Sequence, residues 1–245
     1  MSDAFLPPDD VSVAEAELLV FLLDGSGSMT QKNTFDGRSK EEHLVELVQL
    51  VLKRLQKGSK RSAFRISYIY FADLVEPEIE GSQKYFNLSE AVDKLASPVE
   101  RAGGGKTALA DALHGVNDIV QTFNSDEGIP AQKNVTVFLF TDGHENVRTP
   151  EDVRSEGKML LTLDPTPIIA TISVGMDADE KLLMEIASEP NDRQLRHLDL
   201  SGVLHHLPDQ KKLFLQGHVE GTVSEEKAEA LRNFVETLSE TSKSE

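Results

Sequence analysis

The sequence predicts an α/β fold: a doubly wound parallel sheet with helices on both faces. Three observations carry that expectation. Leu18 to Leu23 is an unbroken apolar run of the length expected for a strand buried on both sides. Further strand-like runs rich in β-branched or aromatic residues recur at 64–72, 134–141 and 167–174. Between them lie amphipathic segments with apolar residues at helical spacing, and alternation of this kind is the signature of a covered parallel sheet.

Taken in order, residues 1–16 are polar and acidic with a Pro7-Pro8 pair, and read as a loosely attached extension. The first strand follows, then a polar loop over 30–39. A helix is expected over 40–56, where Leu44, Val45, Leu47, Val48, Val51, Leu52 and Leu55 recur on one side. Lys57, Lys60, Arg61 and Arg65 after it read as solvated cations near a helix carboxyl end. Phe64 to Ala72 should be a strand, with Val75 to Ile79 returning beside it as a hairpin. Asn87 suits the cap of a helix over 88–96, residues 97–106 read as a loop, and a helix is expected over 108–123. Asn134 to Thr141 is another buried strand. Thr149-Pro150-Glu151-Asp152 gives cap, first-turn proline and acidic first turn in sequence, so a helix should start there. A strand over 167–174, a helix over 179–188, a weak strand at 194–200 and a short helix within 201–215 complete a domain spanning roughly 17–215. A charged amphipathic helix over 224–239 and a polar tail form an appendage over 216–245.

The bulk composition narrows the partners. The 245 residues are 39% apolar and 27% charged, an ordinary balance for a globular chain. A formal net charge of −17 argues against nucleic acid and anionic membranes as partners, and favours cations and basic surfaces. The absence of cysteine excludes disulfides, thiol catalysis and thiolate metal sites. The amino terminus has neither the basic start nor the apolar core of a signal peptide, and no apolar run approaches a bilayer span. A cytoplasmic setting is the resulting expectation.

The chemistry concentrates where the first strand ends. Asp24-Gly25-Ser26-Gly27-Ser28 places one carboxylate and two hydroxyls at alternate positions, separated by glycines that let the backbone turn tightly. Hard oxygens of mixed charge suit Mg2+, Mn2+ or Ca2+ in preference to zinc or copper. Rival readings fail on residue type. An EF-hand loop starting at Asp24 would need glycine where Met29 stands and glutamate where Phe35 stands. A dinucleotide fingerprint fails because Gly25-Ser26-Gly27 runs into Ser28, Met29 and Thr30. An aspartyl-phosphate phosphatase would be expected to carry a second carboxylate at Ser26.

The remaining donors must come from elsewhere. Ligands of doubly wound sheets sit at the carboxyl ends of the strands, where strand order reverses. Thr141 hands over to Asp142 as Leu23 hands over to Asp24, so two carboxylates would meet if these strands are neighbours, and a cation between them would relieve their repulsion. Gly103-Gly104-Gly105-Lys106-Thr107 looks like the end of a phosphate-binding loop, but Glu100 occupies the place of that motif's first glycine. Thr107 is then another hydroxyl candidate. Gly25, His144 and Glu145 are expected at the rim that a partner meets. His205-His206 has no evident third ligand for zinc, and Asp177 and Asp179 suit an ordinary helix start.

In Asp24-Gly25-Ser26-Gly27-Ser28-Met29, Thr107 before Ala108-Leu109-Ala110-Asp111-Ala112-Leu113, and Thr141-Asp142-Gly143, the chain resembles von Willebrand factor A-type domains. That resemblance implies a Rossmann-like, mostly parallel sheet with one antiparallel edge strand. It implies a metal-ion-dependent adhesion site of Asp24, Ser26, Ser28, Thr107 and Asp142, with Mg2+ as the expected ion and Mn2+ or Ca2+ as alternatives. Ser26, Ser28 and one further group would bind directly, and the others through water. The implied function is an intracellular, non-enzymatic binding module, bacterial in style, whose cation is completed by an Asp or Glu from a protein partner. Stand-alone relatives of this kind suggest an ATPase-linked or stress-response complex. The alternative is a metal-dependent, phosphatase-like hydrolase, for which His144 is the neighbouring general-base candidate.

Overall fold

The structure is a computed structural model that describes residues 15–32, 38–56, 61–77, 84–130, 132–142, 145–174, 179–187, 197–200, 204–207 and 212–215. Its main sheet is built on β1 (Glu15–Asp24), β2 (Phe64–Phe71), β3 (Val75–Pro77), β4 (Phe86–Asn87), β5 (Gln132–Thr141), β6 (Ile168–Val174) and β7 (His197–Leu200). The order is β3-β2-β1-β5-β6-β7, with the two-residue β4 also paired to β2. Strands β2, β1, β5, β6 and β7 are mutually parallel, and β3 and β4 run antiparallel to β2. This is the doubly wound α/β sheet with its antiparallel edge.

The apolar run of β1 makes it the central strand, and its alternate residues serve two separate cores. Leu19, Phe21 and Leu23 face the side covered by α1 (Lys40–Gln56), α2 (Leu88–Lys94) and α3 (Pro98–Ala102). Leu18, Val20 and Leu22 face α4 (Leu109–Ser125), α5 (Pro150–Leu160) and α6 (Glu180–Ile186). All six are fully buried, and burying each such side chain stabilises the fold by about 1.5–3 kcal/mol. Phe21 stacks on Phe138 of β5 with ring centroids 5.1 Å apart, which helps fix the neighbouring strand.

Local signals set the helix starts. Ser39 and Glu42 close a reciprocal cap at α1, with Ser39 N donating to Glu42 Oε2 at 2.6 Å and Glu42 N donating to Ser39 Oγ at 3.2 Å. Thr149 and Asp152 do the same for α5, where Pro150 is the first helical residue.

Two local expectations are corrected. Residues 97–106 are not wholly loop: Ser97 Oγ accepts from Glu100 N at 3.0 Å and Pro98 opens α3. Residues 201–215 contain no described helix but an antiparallel pair, β8 (Leu204–Leu207) with β9 (Lys212–Leu215). β1 begins at Glu15, inside the expected extension. Residues 1–14 and 216–245, including the expected helix over 224–239, lie outside the described residues.

Candidate metal centre

Strand order reverses between β1 and β5, because the chain winds from β1 to β2 on one side and from β5 through β6 to β7 on the other. The register pairs Leu23 with Phe140, so Asp24 and Asp142 leave the same edge at that crevice. The carboxylate of Asp24 is fully buried. Its Oδ1 accepts the backbone N–H of Ser26 at 2.8 Å, which folds the loop back over the strand end. Its Oδ2 accepts the hydroxyl of Thr141 at 2.5 Å, which ties β1 to β5.

The hydroxyls converge above this anchor. Ser26 Oγ and Ser28 Oγ lie 3.0 Å apart, and Ser28 Oγ donates to Asp142 Oδ1 at 2.7 Å. Oxygens bound at adjacent corners of a magnesium octahedron are separated by about 2.8–3.0 Å, the edge that bonds of about 2.0–2.1 Å require. The Ser26–Ser28 spacing falls on that edge, and the Ser28–Asp142 spacing lies just below it. No three-member cluster of His, Cys, Asp or Glu is placed to hold a metal among the described residues, so any cation here relies on hydroxyls beside two acids.

Thr107 is brought to the same edge by three contacts. Gly104 forms a parallel bridge with Ser26, Ala108 N donates to Ala72 O at 2.8 Å, and Thr107 N donates to Asn146 Oδ1 at 2.7 Å. Gly104 is needed for this approach: a Cβ there would lie 2.7 Å from Cγ of Asp73. Thr107 is buried, with 3% of the residue exposed.

The expected rim is corrected at two positions. Gly25 is buried, and a Cβ on it would meet Pro98 O at 2.3 Å, so it lets β1 pass beneath α3. Glu145 is buried as well. Its Oε2 accepts from Ala110 N at 2.7 Å, and its Oε1 accepts from Val147 N at 2.7 Å and Arg148 N at 2.8 Å. It holds the amino end of α4 and the loop after β5 in place. His144, the third expected rim residue and the hydrolase reading's base, lies outside the described residues.

Sequence reasoning missed two contributors. Asn146 clamps Thr107 from both sides, since its own N–H donates to Thr107 O at 3.3 Å. Lys40, the first residue of α1, places Nζ 2.6 Å from Asp142 Oδ2, with side-chain exposures of 2% and 0%. Its one sequence signal was a lysine in the first turn of an amphipathic helix, where cations are unfavourable.

Electrostatics match this crowding. Burial, followed by the charge of Asp142, pushes the Asp24 carboxyl up to about 6, against the lowering effect of hydrogen bonds from Thr141 and Ser26. Ionisation of Asp24 is opposed by its burial and by the carboxylate of Asp142 beside it.

A doubly wound sheet with oxygen donors gathered at its switch point defines a class of domains that present a site above the sheet. This chain belongs to the von Willebrand factor type A domain family, whose model matches residues 19–210. Domains of this family are commonly protein-interaction modules and generally not enzymes. Similar solved structures include a von Willebrand factor type A protein from Catenulispora acidiphila, at 18% identity and TM-score 0.55 over 71% of this chain and 36% of that one. Proximal thread matrix protein 1 from the mussel byssus, described with a zinc-occupied MIDAS motif, matches at 21% identity and TM-score 0.54 over 76% of this chain and 42% of its own. Manganese-loaded TRAP protein from Plasmodium vivax matches at 19% identity and TM-score 0.52 over 76% of this chain and 69% of its own. The chain thus spans less than half the length of the first two. No curated protein matches it. Among the described residues no helix is long and apolar enough to cross a membrane.

Proposed function

We propose that this domain binds one divalent cation through Asp24, Ser26, Ser28, Thr107 and Asp142, and uses it to hold a protein partner by an Asp or Glu side chain. Mg2+ is the expected ion, with Mn2+ or Ca2+ as alternatives. The observation that carries the reading is the 3.0 Å spacing of the Ser26 and Ser28 hydroxyls beside Asp142 Oδ1, 2.7 Å from Ser28. Oxygen-only donors at octahedral spacing suit a hard cation, and neutral hydroxyls leave it electrophilic toward an outside carboxylate. Both Asp24 oxygens already accept hydrogen bonds within the protein, which supports a role for it as loop anchor and charge, with contact to the ion through water.

The setting we propose is cytoplasmic, within an ATPase-linked or stress-response assembly, in keeping with the cysteine-free, strongly acidic composition. The experiment is partner recovery in Mg2+ by the wild type, by the wild type in EDTA, and by Asp24→Ala. Recovery in the first case alone, with unchanged circular dichroism throughout, is expected. Equal recovery in all three would refute cation-mediated recognition.

A further inference from the structure

Lys40 is a fully buried lysine at the amino end of a helix, an arrangement that is unfavourable twice over. An ammonium loses hydration on burial, and the positive end of the helix dipole repels it. Asp142 compensates, and the division of its carboxylate is informative: Oδ2 accepts from Lys40 Nζ at 2.6 Å and Oδ1 accepts from Ser28 Oγ at 2.7 Å. A buried ion pair is often no better for stability than an apolar pair of the same volume, so stability alone is a poor reason to find one at this spot. Its position on a proposed cation ligand is a better one.

The charge balance at this edge shows what the lysine does. Among the described residues, the buried acids are Asp24, Asp142 and Glu145, and Glu145 is already held by three backbone N–H groups. The two aspartates would balance a divalent cation by themselves. With Lys40 present the loaded site is one unit more positive, in a buried environment, than the two aspartates and the cation alone would make it. One incoming carboxylate would cancel that unit.

Resting on the cation reading above, we propose that Lys40 is the resident counter-ion of Asp142, that it holds the site's affinity for a divalent cation down, and that it gives the loaded site its demand for an anionic partner. Removing its charge therefore has two effects of opposite sign. The cation binds more tightly because a like charge is gone, and a carboxylate binds more weakly because the loaded site is then one unit less positive. A lysine that merely ties α1 to the end of β5 would loosen both when replaced.

The test titrates Mn2+ by calorimetry into chelator-stripped full-length wild type, Lys40→Met, Lys40→Gln and Lys40→Arg, and then titrates acetate at saturating Mn2+, read by the Mn2+ electron paramagnetic resonance spectrum. Lys40→Gln keeps a hydrogen-bond donor for Asp142 and decides the matter should Lys40→Met not fold. The charge-removing variants are expected to bind Mn2+ at least about tenfold more tightly and acetate at least about fivefold more weakly, with Lys40→Arg close to wild type. Mn2+ binding by a charge-removing variant alone also supports the proposal. Wild-type binding with unchanged or weaker Mn2+ affinity in those variants overturns it and leaves the cation reading standing, whereas no Mn2+ binding by any of the four chains overturns both.

Discussion

At the level of single residues, two acids at opposite ends of β1, the fully buried Asp24 and the part-buried Glu17, push the titration of the chain the same way. Asp24 is raised to about 6 and Glu17 to about 7, in each case chiefly by burial, with Thr136 opposing the shift at Glu17 and Glu15 adding to it. A carboxyl whose folded value is raised binds protons more tightly in the folded chain, so its stabilising contribution is present below the unfolded value and is lost as pH rises through the folded one. Unfolding by urea in EDTA should therefore show stability falling between about pH 4 and pH 7, and Glu17→Gln should flatten that fall and leave the chain more stable at the upper end. Identical pH slopes for the two proteins would contradict the assignment. Gly25 answers to packing. Alanine there must displace Pro98, whose carbonyl lies 2.3 Å from the added carbon, so Gly25→Ala is expected to destabilise by about 1–3 kcal/mol in chemical denaturation.

At the level of elements, the site depends on how α4 and the loop after β5 are locked together. Glu145 receives three backbone N–H groups, one from α4 and two from that loop. Glu145→Gln leaves one carbonyl oxygen to serve them, and a loss of about 2–3 kcal/mol is expected from urea unfolding, together with weaker cation binding through a loosened Thr107. Stability and binding both at wild-type level would refute this. Helix starts such as Thr149-Pro150 were legible because a cap is written within four consecutive residues. The roles of Glu145 and Gly25 were not, because each is decided by a segment distant in sequence: α4 for one and Pro98 for the other. Lys40 was hidden for the same reason, since its partner Asp142 lies 102 positions away and the local pattern shows only a lysine opening an amphipathic helix. The β8–β9 pair was not legible because short apolar runs carry too few residues to separate the two periodicities.

At the level of the whole molecule, the sheet converts remote positions into neighbours. The strand ends with Asp24 and Asp142 were readable as acids after apolar runs, but that the two strands are neighbours was only a condition of the reading, which the order β2-β1-β5 meets. Folding and cation binding are then linked: a ligand that binds only the folded chain adds stability with its concentration. Midpoints of thermal unfolding should rise with added Mg2+ or Mn2+ for the wild type and stay fixed for Asp24→Ala; a fixed wild-type midpoint would argue against a site in the folded state.

The most direct measurement is an anomalous difference map from a crystal soaked in Mn2+. The account predicts one strong peak at about 2–2.3 Å from the hydroxyl oxygens of Ser26 and Ser28, with Thr107 and the two aspartates around it. A map with no peak there, or with its strongest peak at some other part of the surface, would contradict it.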